Sequence, residues 1–111
     1  MSKRNVQFNC GIGPAFAVIG GKWKAVILWE LHGATRRFGE LKRLVPGITE
    51  KMLIQQLREL VADGLVSRVD MATVPPHVEY SLTPLGVSLN TALGPLARWG
   101  AHYEQQVRPT A

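Results

Sequence analysis

The chain has 111 residues, a formal net charge of +5 and 46% hydrophobic residues, which suits one small domain whose core a partner chain would help to stabilise. No apolar run approaches the roughly 18 residues that span a membrane, and no apolar segment follows the N-terminal Met-Ser-Lys-Arg as in a signal peptide, so we expect a cytoplasmic protein. A single cysteine, Cys10, excludes an internal disulfide framework and suits a reducing compartment.

Charge is unevenly distributed along the chain. Residues 1–51 carry nine basic and three acidic side chains, whereas the remaining residues carry four basic and five acidic ones. Lys and Arg contacts to phosphates supply most non-specific affinity for nucleic acid, so a basic first half predicts a polyanion partner such as double-stranded DNA. Charge that serves solubility alone is the alternative.

The first half begins with a predicted flexible arm at residues 1–10 and a short helix starting near Pro14. Gly20-Gly21 ends that helix, and a longer one is predicted from Lys22 to His32. The nearly continuous apolar residues of the second helix indicate burial on more than one side.

Two arginines, Arg36 and Arg37, end the short connector that follows. They lie just ahead of the helix that would cross a DNA backbone, so we predict that they contact phosphates. Ordinary surface arginines are the alternative.

Residues 38–63 have the outline of a helix-turn-helix. A helix over Phe38–Leu44 is stopped by the proline-glycine pair at 46–47, which permits a sharp reversal. Thr49 is predicted to cap a second helix, which begins at Glu50 and ends near residue 63.

The second helix of this motif separates apolar from polar residues. The residues predicted to face the core are Leu53, Leu57, Leu60 and Val61. Those on the opposite side are Lys51, Gln55, Arg58 and Ala62. In a major groove Gln pairs with adenine and Lys or Arg with guanine, so this side has the chemistry of base recognition. An ordinary solvated helix face is the alternative.

Residues 65–82 predict a β-hairpin, with strands at 65–69 and 78–82. The connector between them is longer than a tight turn and would project as a wing. We predict that Arg68 and His77 reach a minor groove or the flanking phosphates. A purely structural hairpin with incidental polar residues is the alternative.

Residues 83–105 predict a long terminal helix, capped by Thr83 and kinked by the pair at 94–95. Its apolar stripe predicts a dimerisation face completed by the helix near Pro14, with packing on its own core as the alternative. The predicted dimer interface comprises Pro14, Phe16, Leu89, Leu93, Leu96, Trp99 and Tyr103. A two-fold dimer would place two recognition helices roughly 34 Å apart and predicts an inverted-repeat operator.

These elements predict one mainly α winged helix-turn-helix domain over 1–111, with a small β-hairpin wing (α+β). Its predicted DNA-binding residues are Arg36, Arg37, Thr49, Lys51, Gln55, Arg58, Arg68 and His77. No catalytic residue, metal site or cofactor is predicted, because the three histidines are scattered and share no ligand spacing with Cys10. A winged-helix protein-interaction module is the alternative function, but its exposed helix face would be apolar or acidic rather than basic.

The chain resembles the HxlR-type winged-helix transcriptional regulators, which are similar to the MarR group, from Cys10 to about Trp99. The motifs that carry the resemblance are IGGKWK at 19–24, RFGEL at 37–41, PGITEKML at 46–53, QLREL at 56–60, DGLV at 63–66 and VPPHVEYSLT at 74–83. The resemblance implies a homodimer, formed through both terminal helices, that binds palindromic promoter DNA and regulates a nearby gene.

The resemblance also gives Cys10 a candidate role. Some members of the family sense oxidants or electrophiles through a cysteine just ahead of the first helix, although they usually have Cys-Pro where this chain has Cys10-Gly11. On residue chemistry alone, the reactive thiolate would be favoured by Lys3, Arg4, Lys22 or a helix N-terminus near Pro14. An inert small hydrophobic side chain is the alternative, and the residues specify no small-molecule effector.

Overall fold

Five helices and three short strands form residues 11–108, the part of the chain that the computed structural model describes. The predicted arm at 1–10, including Cys10, and residues 109–111 lie outside the described residues. The elements are α1 (Ile12–Ile19), α2 (Lys24–Glu30), β1 (Arg36–Arg37), α3 (Phe38–Leu44), α4 (Glu50–Ala62), β2 (Val66–Asp70), β3 (Val78–Leu82) and α5 (Pro84–Val107). This is the predicted winged helix-turn-helix architecture.

The helix-turn-helix consists of α3 and α4, with bounds close to the predicted ones. Gly47 in the corner between them has a φ of +82°, a left-handed conformation that glycine adopts without steric penalty. Thr49 caps α4 as predicted, since its hydroxyl accepts the amide N–H of Met52 at 3.1 Å. A cap of this kind typically stabilises a helix by about 1 kcal/mol.

The hydrophobic core is built around one side of α4. Its buried side chains are Ile27, Leu28, Leu31, Leu41, Val45, Ile48, Leu53, Leu57, Leu60, Leu65, Val66, Tyr80 and Leu93. Val61 was predicted to join them, but it is 36% exposed. At about 100° per residue, Val61 lies roughly 80° around the helix from Leu53 and therefore at the edge of the apolar stripe.

The sheet has three antiparallel strands in the order β1-β3-β2. Arg36 of β1 and Arg68 of β2 both pair with Tyr80 of β3. Residues 36–37 were predicted to lie in a connector, because two residues are too few to show an alternating pattern. The predicted hairpin is confirmed, with β2 starting one residue later than predicted.

The helix α2 is shorter than predicted, since it covers Lys24–Glu30 rather than residues 22–32. Positive φ angles at Gly21 (+91°) and Gly33 (+69°) flank it and mark where the chain leaves the helical direction. The amide N–H of Leu31 closes the helix by donating to the carbonyls of Ile27 and Leu28, both at 3.2 Å.

The terminal helix α5 begins after Thr83, whose hydroxyl accepts the amide N–H of Gly86 at 3.0 Å. It continues through Gly94 and Pro95 to Val107. A proline ring crowds the Cβ of the residue before it when that residue is helical, so a glycine at position 94 relieves the clash.

The middle of α5 packs on α2. The buried Asn90 side chain donates its Nδ2 hydrogen to the Leu28 carbonyl at 2.9 Å. Leu93 is only 7% exposed, and Leu89 is partly buried against the core. These two leucines were predicted to face a partner chain, but they fill space between α5 and the core of their own chain.

Candidate nucleic-acid interface

The outer side of α4 presents the polar residues that the helical periodicity predicts. Lys51, Gln55 and Arg58 are all exposed, and we refer to these three residues as the reading face. The apolar side of the same helix is buried at Leu53, Leu57 and Leu60, which fixes the rotation of α4 about its axis. The reading face therefore lies on the side of α4 that points away from the core.

A groove of about 430 Å³ lies between α4 and the sheet. Its lining residues are Ile54, Leu57, Arg58, Val61, Arg68 and Tyr80. Arg68 faces this groove because it pairs with the buried Tyr80 across the two strands, and directly paired residues point to the same face of a sheet. The structure thus brings Arg58 of the helix and Arg68 of the wing into one groove, which sequence reasoning had treated separately.

The two groove arginines are available to bind an anion. Among residues 11–108, the side chains of Arg58 and Arg68 make no hydrogen bond or ion pair. Both are exposed at the mouth, whereas Tyr80 forms a buried floor. The two guanidinium groups suit a phosphate, and the apolar residues beneath them suit the sugar attached to it.

Ile54 is a surface residue that sequence reasoning did not assign. It is 41% exposed and borders both the groove beside the wing and a second concavity that includes Lys51, Gln55 and Arg58. Its spacing of three residues from Lys51 and four from Arg58 would have identified it as their neighbour. An exposed isoleucine beside residues predicted to contact bases has the apolar surface that suits the methyl group of thymine.

The paired arginines before α3 have different environments. Arg36 is half-buried and donates its Nε hydrogen to the Glu30 carbonyl at 3.0 Å, which ties β1 to the end of α2. Arg37 is exposed, and its amide N–H is accepted by Glu40 Oε1 at 2.8 Å, which closes the first turn of α3. Arg36 therefore has a structural role in addition to its predicted one, and Arg37 is the more exposed of the two residues predicted to contact phosphate.

Two other predicted contacts are engaged within the protein. His77 Nε2 lies 2.8 Å from Glu79 Oε2, and this carboxylate would repel a phosphate that approached the same nitrogen. The hydroxyl of Thr49 already accepts the Met52 amide. Both residues therefore have a structural role. The Thr49 hydroxyl can still donate its own hydrogen to a phosphate, so its contact with DNA stays a prediction.

Apolar side chains are exposed on α1 and α5. Phe16 is exposed on α1, and Leu96, Trp99 and Tyr103 are exposed on α5, where the last two rings stack at 5.2 Å. Pro14, also predicted to face a partner, is exposed. An apolar groove of about 270 Å³ continues this surface between α5 and α2, beside Val26 and Trp29.

Residues 11–108 contain no group of three or more His, Cys, Asp or Glu side chains arranged to hold a metal ion. No helix in this part of the chain is long and apolar enough to cross a membrane. The proposed sensor Cys10 lies outside the described residues.

Comparison with known families identifies this architecture. A sequence profile of the HxlR-like helix-turn-helix family matches residues 18–108. The chain belongs to this family. The match includes α2 to α5 and therefore the entire helix-turn-helix, the wing and the reading face, so the resemblance inferred from the sequence motifs is confirmed.

Transcriptional regulators from several bacteria are similar to the chain. The uncharacterized HTH-type transcriptional regulator YkvN of Bacillus subtilis (strain 168) is 53% identical over 100 residues, covering 90% of this chain and 85% of YkvN. A solved structure assigned to MarR-family regulators, from Porphyromonas gingivalis W83, is 38% identical with a TM-score of 0.80, covering 86% of this chain and 94% of that one.

A third similar protein is a redox regulator. The reduced form of HypR is 39% identical with a TM-score of 0.84, covering 91% of this chain and 100% of HypR. The HxlR-like family and these relatives are transcriptional regulators rather than enzymes, and the chain is accordingly a helix-turn-helix transcriptional regulator.

Proposed function

We propose that the protein is a sequence-specific DNA-binding regulator that acts as a homodimer on an inverted-repeat operator. The observation that carries this proposal is the exposed reading face of α4 beside the groove shared by Arg58 and Arg68. Lys51, Gln55 and Arg58 place hydrogen-bond donors on this side of α4, which match the acceptors at base edges and on phosphates.

The two parts of this surface have separate tasks in the proposed complex. Lys51 and Gln55 belong to the first half of α4, the part of a recognition helix that contacts base edges in the major groove. Arg58 and Arg68 lie where the DNA backbone passes between the helix and the wing, so they neutralise phosphates.

The apolar surface on α1 and α5 supports the homodimer. Exposed apolar patches on small proteins mark interaction sites, and Phe16, Leu96, Trp99 and Tyr103 form such a surface on the terminal helices. A two-fold dimer presents two copies of α4 to half-sites about one DNA turn apart, roughly 34 Å. A regulator of this kind acts where the chromosome is, so a cytoplasmic location is part of the proposal.

Alanine substitution of the reading face tests DNA recognition. We expect Lys51→Ala and Gln55→Ala each to weaken binding to a duplex selected by the wild-type protein by roughly 1–3 kcal/mol. Both side chains are exposed, so the thermal unfolding midpoint should not change. Binding is measured by fluorescence anisotropy with excess competitor DNA.

Matched controls come from α5. Arg98→Ala removes one exposed cation and Gln105→Ala one exposed amide, both outside the proposed interface. If the reading-face variants bind the duplex as tightly as wild type and these controls, the proposed surface is wrong. Failure of the wild-type protein to select any sequence would instead favour a protein-interaction module.

The proposal includes an oxidant response through Cys10. Its support is the redox regulator HypR, to which the chain is 39% identical. We expect diamide to take two electrons from two Cys10 thiols of a dimer, joining them as a disulfide while diamide is reduced to its hydrazine. Operator affinity should then change in the wild type and stay constant in Cys10→Ser. An unchanged wild-type affinity, or an equal change in Cys10→Ser, would contradict this role.

A further inference from the structure

The side chain of Lys24 is buried although it carries an ammonium group. The residue is 7% exposed and occupies the first position of α2. Its Nζ lies 2.5 Å from Glu59 Oε1 in α4. Burial disfavours an ammonium, and the positive end of a helix dipole disfavours it further, so an apolar side chain would fill this position more favourably. The Lys24–Glu59 pair therefore serves a purpose beyond filling the core.

Glu59, whose side chain is 41% exposed, connects the buried Lys24 to the reading face. Its second carboxylate oxygen, Oε2, accepts a hydrogen bond from Gln55 Nε2 at 3.3 Å. Gln55 and Glu59 are four residues apart in α4, the spacing that places two side chains side by side on a helix. A chain of contacts thus leads from a buried residue of α2 to an exposed amide of α4.

The carboxylate decides which way the Gln55 amide points. An ionised carboxylate has only acceptors, so it attracts the amide nitrogen of a glutamine and repels the amide oxygen. With Nε2 held toward Glu59, the amide directs Oε1 away from the carboxylate, and the second N–H hydrogen stays available beside that oxygen. Lys24 holds Glu59 in place because its ammonium pairs with the other carboxylate oxygen.

We propose that Glu59, held by Lys24, is a positioning residue that fixes the amide of Gln55 for the recognition of adenine. In this orientation Oε1 accepts from the N6 amino group of adenine, and the free N–H of Nε2 donates to N7. A reversed amide would set acceptor against acceptor at N7 and donor against donor at N6. The inference rests on the proposed function, since it assigns Gln55 to a base.

The test compares base preference rather than affinity alone. A duplex selected by the wild-type protein from a random pool is varied one base pair at a time, and Gln55→Ala identifies the position that Gln55 contacts. A good bidentate contact gives a preference on the order of 5- to 100-fold. We expect wild type to prefer adenine there and Glu59→Gln to lower that preference by roughly 3- to 10-fold, because a second amide can face Gln55 either way.

Glu104→Gln on α5 is the charge-matched control, since it also removes one carboxylate charge and should leave the base preference unchanged. The double variant Lys24→Met/Glu59→Gln removes the buried ammonium together with its counter-ion. If Glu59→Gln alone fails to fold, the base preference of this double variant is compared with that of wild type instead. We expect the double variant to lose base preference to the same extent. In a Gln55→Ala background, Glu59→Gln should have no further effect on preference.

A stable Glu59→Gln variant with the wild-type base preference would overturn the inference. If Glu59→Gln lowers the unfolding midpoint but keeps the base preference, the Lys24–Glu59 pair has only a structural role. A Gln55-dependent preference for a base other than adenine would overturn the proposed amide orientation. A wild-type protein without any sequence preference would overturn the proposed function itself, which distinguishes the two failures.

Discussion

Gly86→Ala is expected to destabilise the protein by roughly 3 kcal/mol or more. A Cβ at this position would lie 2.1 Å from the Leu65 carbonyl oxygen and 3.1 Å from its carbonyl carbon. The obstacle is backbone, so it cannot turn aside as a flexible side chain would. The same segment is held by hydrogen bonds, since the amide N–H of Thr83 donates to the Leu65 carbonyl at 3.1 Å. Glycine at position 86 therefore permits the first turn of α5 to lie directly against the backbone of Leu65, the residue before β2.

Gly100→Ala on the same helix is the matched control. A Cβ there would have no atom of the described chain within 4 Å, and alanine is favoured over glycine inside a helix by up to about 1 kcal/mol. Urea unfolding at one protein concentration should therefore give changes of opposite sign for the two variants. A Gly86→Ala protein as stable as wild type would show that α5 does not lie against the Leu65 backbone as described.

Removing the two groove arginines is expected to have the largest effect on DNA affinity. Each phosphate contact contributes a slope of about 0.9 to the fall of log affinity with log salt concentration, so Arg58→Ala/Arg68→Ala should reduce that slope by about 1.8. We expect affinity at low salt to fall for every sequence alike, because phosphate contacts carry no sequence information directly. Titrations over a range of salt concentrations measure both quantities.

The single variants separate the two arginines. If both bind phosphates from one groove, Arg58→Ala and Arg68→Ala should each lower the slope by about 0.9 and leave the preference among sequences unchanged. Arg98→Ala on α5 loses the same charge outside the groove and is expected to keep the wild-type slope. If Arg58→Ala changes the preference among sequences, Arg58 contacts a base, as first predicted. If Arg68→Ala leaves the salt slope unchanged, Arg68 of the wing does not contact a phosphate.

The proposed DNA-binding surface is held in place from both sides of α4. The reading face depends on the core side of α4 for its rotation and, in our proposal, on Lys24 and Glu59 for the orientation of Gln55. The wing contributes Arg68 because the register of β2 with β3 turns that side chain toward α4. Substitutions in the core and in the hairpin should therefore alter DNA binding without touching DNA.

The sequence alone determined the local structure of the protein. The helix-turn-helix follows from the apolar spacing of Leu53, Leu57 and Leu60, the corner at 46–47 and the Thr49 cap. These signals depend on residues within about four positions of one another. At that range, the geometry of the helix or turn alone determines which side chains are neighbours. The same periodicity placed the reading face correctly on the exposed side, and the motifs identified the family.

The tertiary structure decided what depends on residues distant in the chain. In the sequence, Lys24 is only one of several basic residues in the first half. In the folded structure its side chain contacts Glu59, 35 positions later. The strand β1 exists because β3 supplies its hydrogen-bonding partners, and Leu93 is buried because α5 packs on α2. Arg58 and Arg68 meet only through the packing of the hairpin on α4. Each of these contacts follows from the arrangement of whole elements, which no spacing within a single element encodes.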